Sequence, residues 1–176
     1  MNNVAHTWGT TREERALAFP GDRRDDAACT SLFRGVSIAA PAPLVFRWLC
    51  QLRTAPYSYD WIDNRGRQSP RTLTPGLEQL AIDQKVMEIF RLESFEEPVH
   101  LTLMTPAGGR GERLFGRLRC TYWVRPSSED HVRLLVKLRL ASKRGVVSRF
   151  ANAALAWGDL VMMRKQLLNL KSLAEA

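Results

Sequence analysis

Long hydrophobic runs are absent from this sequence of 176 residues. No stretch reaches the roughly eighteen consecutive apolar residues that a membrane-spanning helix requires. The sequence therefore predicts no membrane-spanning helix. The first ten residues, Met1 to Thr10, are polar and lack the apolar segment of a secretory signal. Export by that route is therefore not expected.

Cysteine is scarce as well. The three cysteines, Cys29, Cys50 and Cys120, lie far apart and form no CxxC or Cys/His pair. We expect buried free thiols in a reducing compartment rather than a disulfide or a metal site, and hence a cytoplasmic location.

The motifs of several large enzyme classes are missing. The sequence contains no GxSxG, GxxxxGK[ST] or GxGxxG segment. Gly108–Gly111 comes nearest, and we predict a turn there without a following helix. The three histidines share no metal-ligand spacing. The sequence thus predicts no metal and no cofactor, and it leaves open whether the protein is an enzyme.

The composition is that of a globular domain, with 45% hydrophobic and 25% charged residues. A net charge of +8 favours anionic partners. The 26 lysines and arginines are nevertheless spread along the chain without a basic block. A nucleic-acid partner is therefore not favoured, and the oligomeric state stays undetermined.

Residues 1–30 have the pattern of an N-terminal arm. Thr11 followed by Glu14 is typical of a capping box, which predicts a short helix over Arg12–Phe19. Pro20 and Gly21 end that helix. We place one domain at residues 31–176.

The rest of the chain changes from helical spacing to strict alternation and back. Apolar residues alternate with polar ones along several segments, which predicts an antiparallel meander between Lys85 and Leu140. The predicted strands are Ser31–Ala40, Lys85–Phe95, Val99–Met104, Leu114–Val124 and His131–Leu140. The predicted helices are Pro43–Arg53 and a long C-terminal helix over Gly145–Leu173. Gly158, in the middle of that helix, indicates a kink or a close contact.

These elements define an α+β fold. An antiparallel sheet with one apolar face needs a cover, and the long C-terminal helix is the largest apolar element that can supply it. Because a twisted sheet curls away from a straight helix, space arises between them. That space is either filled by side chains or kept as a cavity.

Three segments give the chain a family resemblance: Ala39–Leu49, Tyr57–Asn64 and Gly158–Leu167. In these segments the chain resembles the SRPBCC superfamily, which includes START domains, polyketide cyclase/dehydrase-like proteins and Bet v 1-like proteins. It looks closest to an uncharacterised bacterial branch. The resemblance implies a helix-grip fold, in which a curved antiparallel sheet wraps around a long C-terminal helix, and an internal apolar pocket. It implies no universal catalytic residue.

Together, the alternation and the resemblance predict the lining of such a pocket. The candidate ligand-binding residues come from the aromatic segment after the first helix, from two strands and from the last helix. They are Tyr57, Tyr59, Trp61, Leu118, Cys120, Tyr122, Leu134, Val136, Leu138, Phe150, Ala154, Trp157 and Val161. A filled core is the alternative for the same residues.

Three polar residues are candidates for proton transfer. Asp60 lies among aromatic residues whose apolar surroundings would raise a carboxyl pKa, although it is more typical of a residue that holds a turn. Tyr59 and Tyr122 are the other two.

A basic stripe is predicted on the outer face of the sheet. With Val124 opposite Val132, Arg119 would face Lys137, Arg117 would face Arg139, and Arg133 would face Trp123. Because like charges directly opposite one another are unfavourable, we expect Glu88 or Glu93 to neutralise the stripe. Otherwise Arg117, Arg119, Lys137 and Arg139 form a candidate contact for an anionic lipid surface or a partner protein.

Three functions remain open. The first is binding or carriage of a hydrophobic small molecule, such as a lipid, polyketide or isoprenoid. The second is a polyketide cyclase- or dehydratase-like enzyme. The third is a basic module for anionic lipid or nucleic acid.

Overall fold

The computed structural model describes residues 3–23, 29–64, 66–141 and 146–176, without the side chains of residues 63 and 141–152. Six strands form one antiparallel sheet in the order β1-β6-β5-β4-β3-β2. The strands are β1 (Cys29–Ile38), β2 (Lys85–Val86), β3 (Phe90–Glu96), β4 (His100–Met104), β5 (Leu118–Ser128) and β6 (His131–Ala141).

Six α-helices accompany the sheet in the described ranges. They are α1 (Val4–Thr7), α2 (Arg12–Ala16), α3 (Ala42–Cys50), α4 (Asp60–Asp63), α5 (Arg110–Phe115) and α6 (Val146–Ala174). Helix α3 begins directly after Pro41, whose fixed φ suits a helix start, and continues as a 3-10 turn over Gln51–Arg53. None of these helices combines the length and apolarity needed to cross a bilayer.

The α+β class and the helix-grip arrangement are confirmed. Helices α3 and α6 cover one face of the sheet, here called the inner face, and α6 runs over 29 residues. The apolar positions of β1, β5 and β6 alternate toward this face, as the period of two predicts. The capping box at Thr11 and Glu14 is present, and it starts a helix that ends at Ala16.

Two local predictions were wrong. The strand predicted over Lys85–Phe95 is divided into β2 and β3, because Met87 and Glu88 adopt positive φ and turn the chain between them. Gly108–Gly111 does not form a turn without a helix. Gly109 is the N-cap of α5, which extends to Phe115. Because this helix includes Leu114, β5 begins at Leu118 rather than at Leu114.

The predicted register of the β5–β6 hairpin was wrong by two residues. Val124 lies opposite Leu134 rather than Val132, because β5 continues to Ser128 with a register shift after Pro126. Arg119 therefore faces Arg139, and Thr121 faces Lys137. Since the shift is even, every side chain stays on its predicted face.

The N-terminal segment wraps around the edge strand β1. The Trp8 carbonyl accepts a hydrogen bond from the Gly35 amide, and a Cβ on Gly9, whose φ is +72°, would overlap the Gly35 carbonyl. Beyond Gly9 the segment lies on the outer face of the sheet. There Phe19 is buried edge-on against Phe33 and Trp123. The edge strand is thereby shielded from pairing with another chain.

Candidate functional site

A cavity of about 790 Å³ lies between the inner face of the sheet and α6. Strands β5 and β6 and helix α6 form its walls, and residues near 53–64, 85–90 and 115 form its rim. Most of the side chains that line it are apolar. A volume of this size falls in the range of small-molecule pockets, roughly 300–1,000 Å³.

The sheet side of the cavity contains four of the predicted lining residues: Leu118, Cys120, Tyr122 and Leu138. All four are buried and belong to the inward set of their strands. Leu134 and Val136 are also on the inner face and are fully buried, but they belong to the packed core and do not line the cavity.

The helix side differs from the prediction. Ala154 lines the cavity, whereas Trp157 and Val161 are 55% and 51% exposed and lie outside the lining, so their inward placement was wrong. The Phe150 side chain lies outside the described residues. The helical residues that do line the cavity are Leu155, Gly158, Asp159, Met162, Met163 and Gln166.

Gly158 leaves open space at the cavity. A Cβ built at this position would meet no atom within 4 Å, so the close contact inferred from the sequence was wrong. Helix α6 is continuous through the glycine. Because Gly158 has no side chain, it leaves more room in the cavity than any other residue at this position would.

The aromatic segment contributes less than predicted. Tyr57 is buried against Trp48, with ring centroids 6.1 Å apart, and belongs to the core. Tyr59 precedes α4 outside the lining, and Trp61 is 76% exposed. The residues of this segment that reach the cavity are Ser58, Ile62 and Asn64. Pocket-facing placement of the three aromatic side chains was therefore wrong.

Asp60 holds its own loop together. Its carboxylate accepts hydrogen bonds from the Ser69 amide at 2.9 Å and the Ser69 hydroxyl at 2.5 Å. It does not line the cavity. The structural role weighed for this residue from the sequence agrees with these bonds.

Tyr122 is the polar group of the sheet wall. Its hydroxyl donates to Gln166 Oε1 at 2.7 Å, and Gln166 Nε2 donates to the Pro56 carbonyl at 2.6 Å. Burial raises the pKa of Tyr122 well above its ordinary value. The phenol is therefore neutral at physiological pH, and its proton is directed at Gln166.

A buried ion pair next to the cavity was not anticipated. Arg34 on β1, 1% exposed, donates to Asp159 Oδ2 on α6 at 2.7 Å. Arg34 also donates to the Phe33, Ala5 and Ala156 carbonyls. Asp159 lines the cavity. Burial raises the pKa of Asp159 to about 6, although the Arg34 charge and hydrogen bond oppose the shift.

One sequence signal could have revealed this pair. Arg34 is the only charged residue on a strand face whose other residues are Thr30, Leu32, Val36 and Ile38. A buried guanidinium cannot lose its proton and so requires an acidic partner. The partner lies 125 positions away, a distance over which spacing in the sequence carries no information.

The outer face holds the basic stripe. Arg119 donates to Glu93 at 2.7 Å, and Asp22 accepts from Lys137 at 2.9 Å and from Arg139 at 2.8 Å. Neutralisation by Glu93 agrees with the sequence-based expectation, whereas Asp22, from the N-terminal segment, was not anticipated. Arg117 is exposed, 3.5 Å from Glu112.

The predicted placement of Arg133 opposite Trp123 was wrong, because Trp123 lies opposite Leu135 and Arg133 opposite Arg125. The shifted register places Arg133 beside α2, where it donates to Glu14 at 2.6 Å. Arg125 lies over the Trp123 ring instead, 5.0 Å from its centroid. In the described part of the chain no cluster of three or more potential metal ligands occurs.

No protein-family model matches this chain, and no curated protein matches it in sequence. Solved structures do match in fold. One is a protein from Arthrobacter aurescens, with 13% identity, a TM-score of 0.52 and coverage of 87% of this chain and 89% of that one. Another comes from Nitrosospira multiformis, with 11% identity, a TM-score of 0.50 and coverage of 82% and 95%.

A third similar structure is the di-domain ARO/CYC StfQ from the steffimycin biosynthetic pathway. It shares 12% identity and a TM-score of 0.51, with 86% of this chain and 52% of StfQ covered, so the chain spans about half of that protein. These likenesses establish the fold, which is the helix-grip arrangement that the resemblance implied. At such identities they leave activity undefined.

Proposed function

We propose that this protein binds a hydrophobic small molecule in the cavity between the sheet and α6. The observation that carries the proposal is the cavity itself, about 790 Å³ and lined mainly by apolar side chains. Buried apolar surface supplies affinity, and a few fixed polar groups orient the ligand. A lipid, polyketide or isoprenoid-like molecule fits this description.

The lining supports an adaptable site. Met87, Met162 and Met163 line the cavity, and unbranched thioether side chains can fit ligands of different shape. At the rim, Ile62 and Phe115 are 55% and 44% exposed. These exposed apolar groups mark the entrance for a poorly soluble ligand.

Native mass spectrometry of the protein purified from its own host tests the proposal. We expect a retained apolar molecule whose mass is recovered after denaturation. Gly158→Trp should lose it, because the indole would occupy the cavity. Ala153→Trp is the matched control, since it adds the same side chain at an exposed position of α6 outside the lining. Equal retention by both variants, or no retained molecule in the unmodified protein, would contradict the proposal.

A second candidate function is a cyclase- or dehydratase-like reaction. The observation that favours it is Asp159, a buried carboxyl at the cavity with a pKa of about 6. A group that titrates near neutrality can both accept and release a proton. Similarity in fold to the ARO/CYC StfQ points in the same direction. Of the three sequence-based candidates for proton transfer, Asp60, Tyr59 and Tyr122, only Tyr122 lines the cavity.

The two functions can be separated by the molecule that is recovered. If the protein removes water from its ligand, the unmodified protein and Asp159→Asn should carry molecules that differ in mass by one water. If it only binds, both should carry the same molecule. Detection of an identical mass in both would exclude Asp159-dependent dehydration.

A basic module for anionic lipid receives less support. Arg119, Lys137 and Arg139 lie in ion pairs with Glu93 and Asp22, which reduces the field they present to a surface. Loss of vesicle binding in Arg117→Glu would support this role. We also propose a cytoplasmic location, because Cys50 and Cys120 are buried as free thiols.

A further inference from the structure

We propose that the ligand carries a hydroxyl or amino group, and that Asp159 Oδ1 accepts its hydrogen bond at the buried wall of the cavity. This inference rests on the proposed binding function and adds the chemical class of the ligand. It follows from which donors and acceptors of the lining already have partners.

The buried donors of the lining are used within the protein. Tyr122 donates to Gln166, whose amide nitrogen donates in turn to the Pro56 carbonyl. The Ser58 hydroxyl donates to the Met162 carbonyl at 3.1 Å. A thiol such as that of Cys120 is only a weak donor. The buried wall therefore offers a ligand no strong donor.

The donors at the rim are more accessible. Asn64 donates to the Arg67 carbonyl and Arg53 to the Leu77 carbonyl. Lys85 donates to Glu88, but an ammonium has three N–H groups and its side chain is 55% exposed. An anionic group would thus find its donor at the entrance, in water, and not at the buried wall.

Acceptors, in contrast, are available at the wall. Asp159 Oδ2 is taken by Arg34, whereas Oδ1 has no partner among the residues that the structure describes. The side chain is 12% exposed and lines the cavity. The Tyr122 oxygen, whose proton points at Gln166, retains lone pairs nearby on the same lining.

Arg34 fixes this acceptor in place. Its four hydrogen bonds, to three carbonyls and to Asp159, hold the guanidinium between β1, α1 and α6. Within the described part of the chain Arg34 Nε also lacks a partner, but Arg34 does not line the cavity. The carboxylate thus presents one oxygen in a fixed direction.

This arrangement discriminates between ligand classes. A hydroxyl or amino group satisfies Oδ1, whereas a ligand with only an ether or ester oxygen would cover this charged acceptor and leave it without a partner. A carboxylate ligand would add a second negative charge beside Asp159. The wall therefore selects against anions, although the net charge of +8 alone would favour them.

Displacement of the neutral dye Nile red tests this selection at about pH 8, where Asp159 is ionised. The probes are 1-decanol, its isomer nonyl methyl ether, and decanoate. Because the alcohol and the ether have the same composition, they differ chiefly in the donor. We expect the alcohol to displace the dye at about tenfold lower concentration than the ether, and at lower concentration than decanoate.

Asp159→Asn gives the complementary measurement. With the amide oxygen kept on Arg34, the amide nitrogen would face the cavity and turn the acceptor into a donor. The advantage of the alcohol over the ether should then fall to about twofold or less. If this variant does not fold, the comparison of the three probes in the unmodified protein still tests whether the ligand must donate a hydrogen bond.

Each outcome has a distinct meaning. Equal displacement by the alcohol and the ether would overturn the donor requirement and leave apolar binding intact. Tightest binding of decanoate would overturn it in favour of an anion held at the rim by Lys85. Failure of Nile red and of all three probes to bind would contradict the proposed function as well.

Discussion

A cluster of ion pairs on the outer face of the sheet, the outer cluster, contrasts with a single pair on the inner face, the inner pair. The carboxylate of the outer cluster, Asp22, is 26% exposed, and that of the inner pair, Asp159, is 12% exposed. On the outer face, Asp22 accepts from Lys137 and Arg139. On the inner face, Arg34 is the only partner of Asp159 among the residues that the structure describes. The chemical groups are similar, but the number of bonds that each carboxylate receives is not.

The pKa values of the carboxyl groups follow that difference. Burial opposes the ionisation of Asp22, but hydrogen bonds from Lys137 and the Phe19 amide, together with nearby charge, outweigh it and hold its pKa below the ordinary value. The hydrogen bond from Arg133 lowers the pKa of Glu14 in the same way. Burial dominates at Asp159 and raises its pKa to about 6. The outer cluster thus favours folding, whereas the inner pair is costly and lies where a ligand is expected.

The largest expected effect comes from separating the inner pair. Asp159→Leu leaves Arg34 buried, charged and without its carboxylate, and should lower the free energy of unfolding by about 3–5 kcal/mol. Urea unfolding measures this loss. Arg34→Met combined with Asp159→Leu should recover most of it, because no charge then remains buried. If the double variant were as unstable as the single one, the cost would not arise from the unpaired charge.

Removing the acidic partner of the outer cluster should cost less. Asp22→Ala takes a carboxylate from Lys137, Arg139 and the Phe19 amide, and we expect about 2 kcal/mol of destabilisation in the same assay. Glu78→Ala is the control, since its partner Arg47 is 48% exposed and such pairs contribute less than about 1 kcal/mol. Equal effects of the two substitutions would show that burial of the outer cluster is energetically unimportant.

Alanine substitutions at two glycines, Gly21 and Gly158, should reveal how tightly each face of the sheet is packed. On the outer face, a Cβ at Gly21 would overlap the Thr121 hydroxyl, so Gly21→Ala should destabilise by roughly 1–2 kcal/mol. On the inner side, Gly158→Ala should stabilise by about 0.5–1 kcal/mol, because alanine favours the helix and meets nothing. Thermal unfolding distinguishes the signs. A loss of stability in Gly158→Ala would contradict the open space assigned to that position.

The smallest expected effect is a difference in the pH dependence of stability between the unmodified protein and Asp159→Asn. Asp159 has a folded pKa of about 6, above the 3.8 of an unperturbed aspartate, so its protonation stabilises the fold as pH falls from 7 to about 5. The gain should be about 1 kcal/mol relative to Asp159→Asn. Asp22 and Glu14 act oppositely. Their contribution is present above their unfolded pKa values and is lost as pH falls through the lower folded values. If the stability of the unmodified protein and that of Asp159→Asn changed equally between pH 7 and pH 5, protonation of Asp159 would not be the cause of the gain.

Much of the fold could be predicted because strand alternation tolerates error. The register of the β5–β6 hairpin was wrong by two residues, yet Leu118, Cys120, Tyr122 and Leu138 still line the cavity. An even shift preserves the face of every side chain. The division of residues into an arm at 1–30 and a domain at 31–176 stays a prediction.

The helix was harder to orient for a physical reason. Residues of α6 at helical spacing from Trp157 and Val161 form one apolar set, and those from Leu155, Met162 and Met163 form another. The period of 3.6 identifies a helix but cannot choose between two such faces. In the folded protein α6 packs on β1 with the second set facing the sheet, and Trp157 of the first set is exposed.

The sequence by itself determined the α+β class, the meander, the long terminal helix and the inward set of two strands, because these depend on periods of two and 3.6 within short windows. The tertiary structure alone decided which face of α6 meets the sheet, the volume between them, and the pairing of Arg34 with Asp159. Those features depend on contacts between residues more than a hundred positions apart. The acceptor at the cavity wall belongs to this second group, because burial and one distant arginine create it.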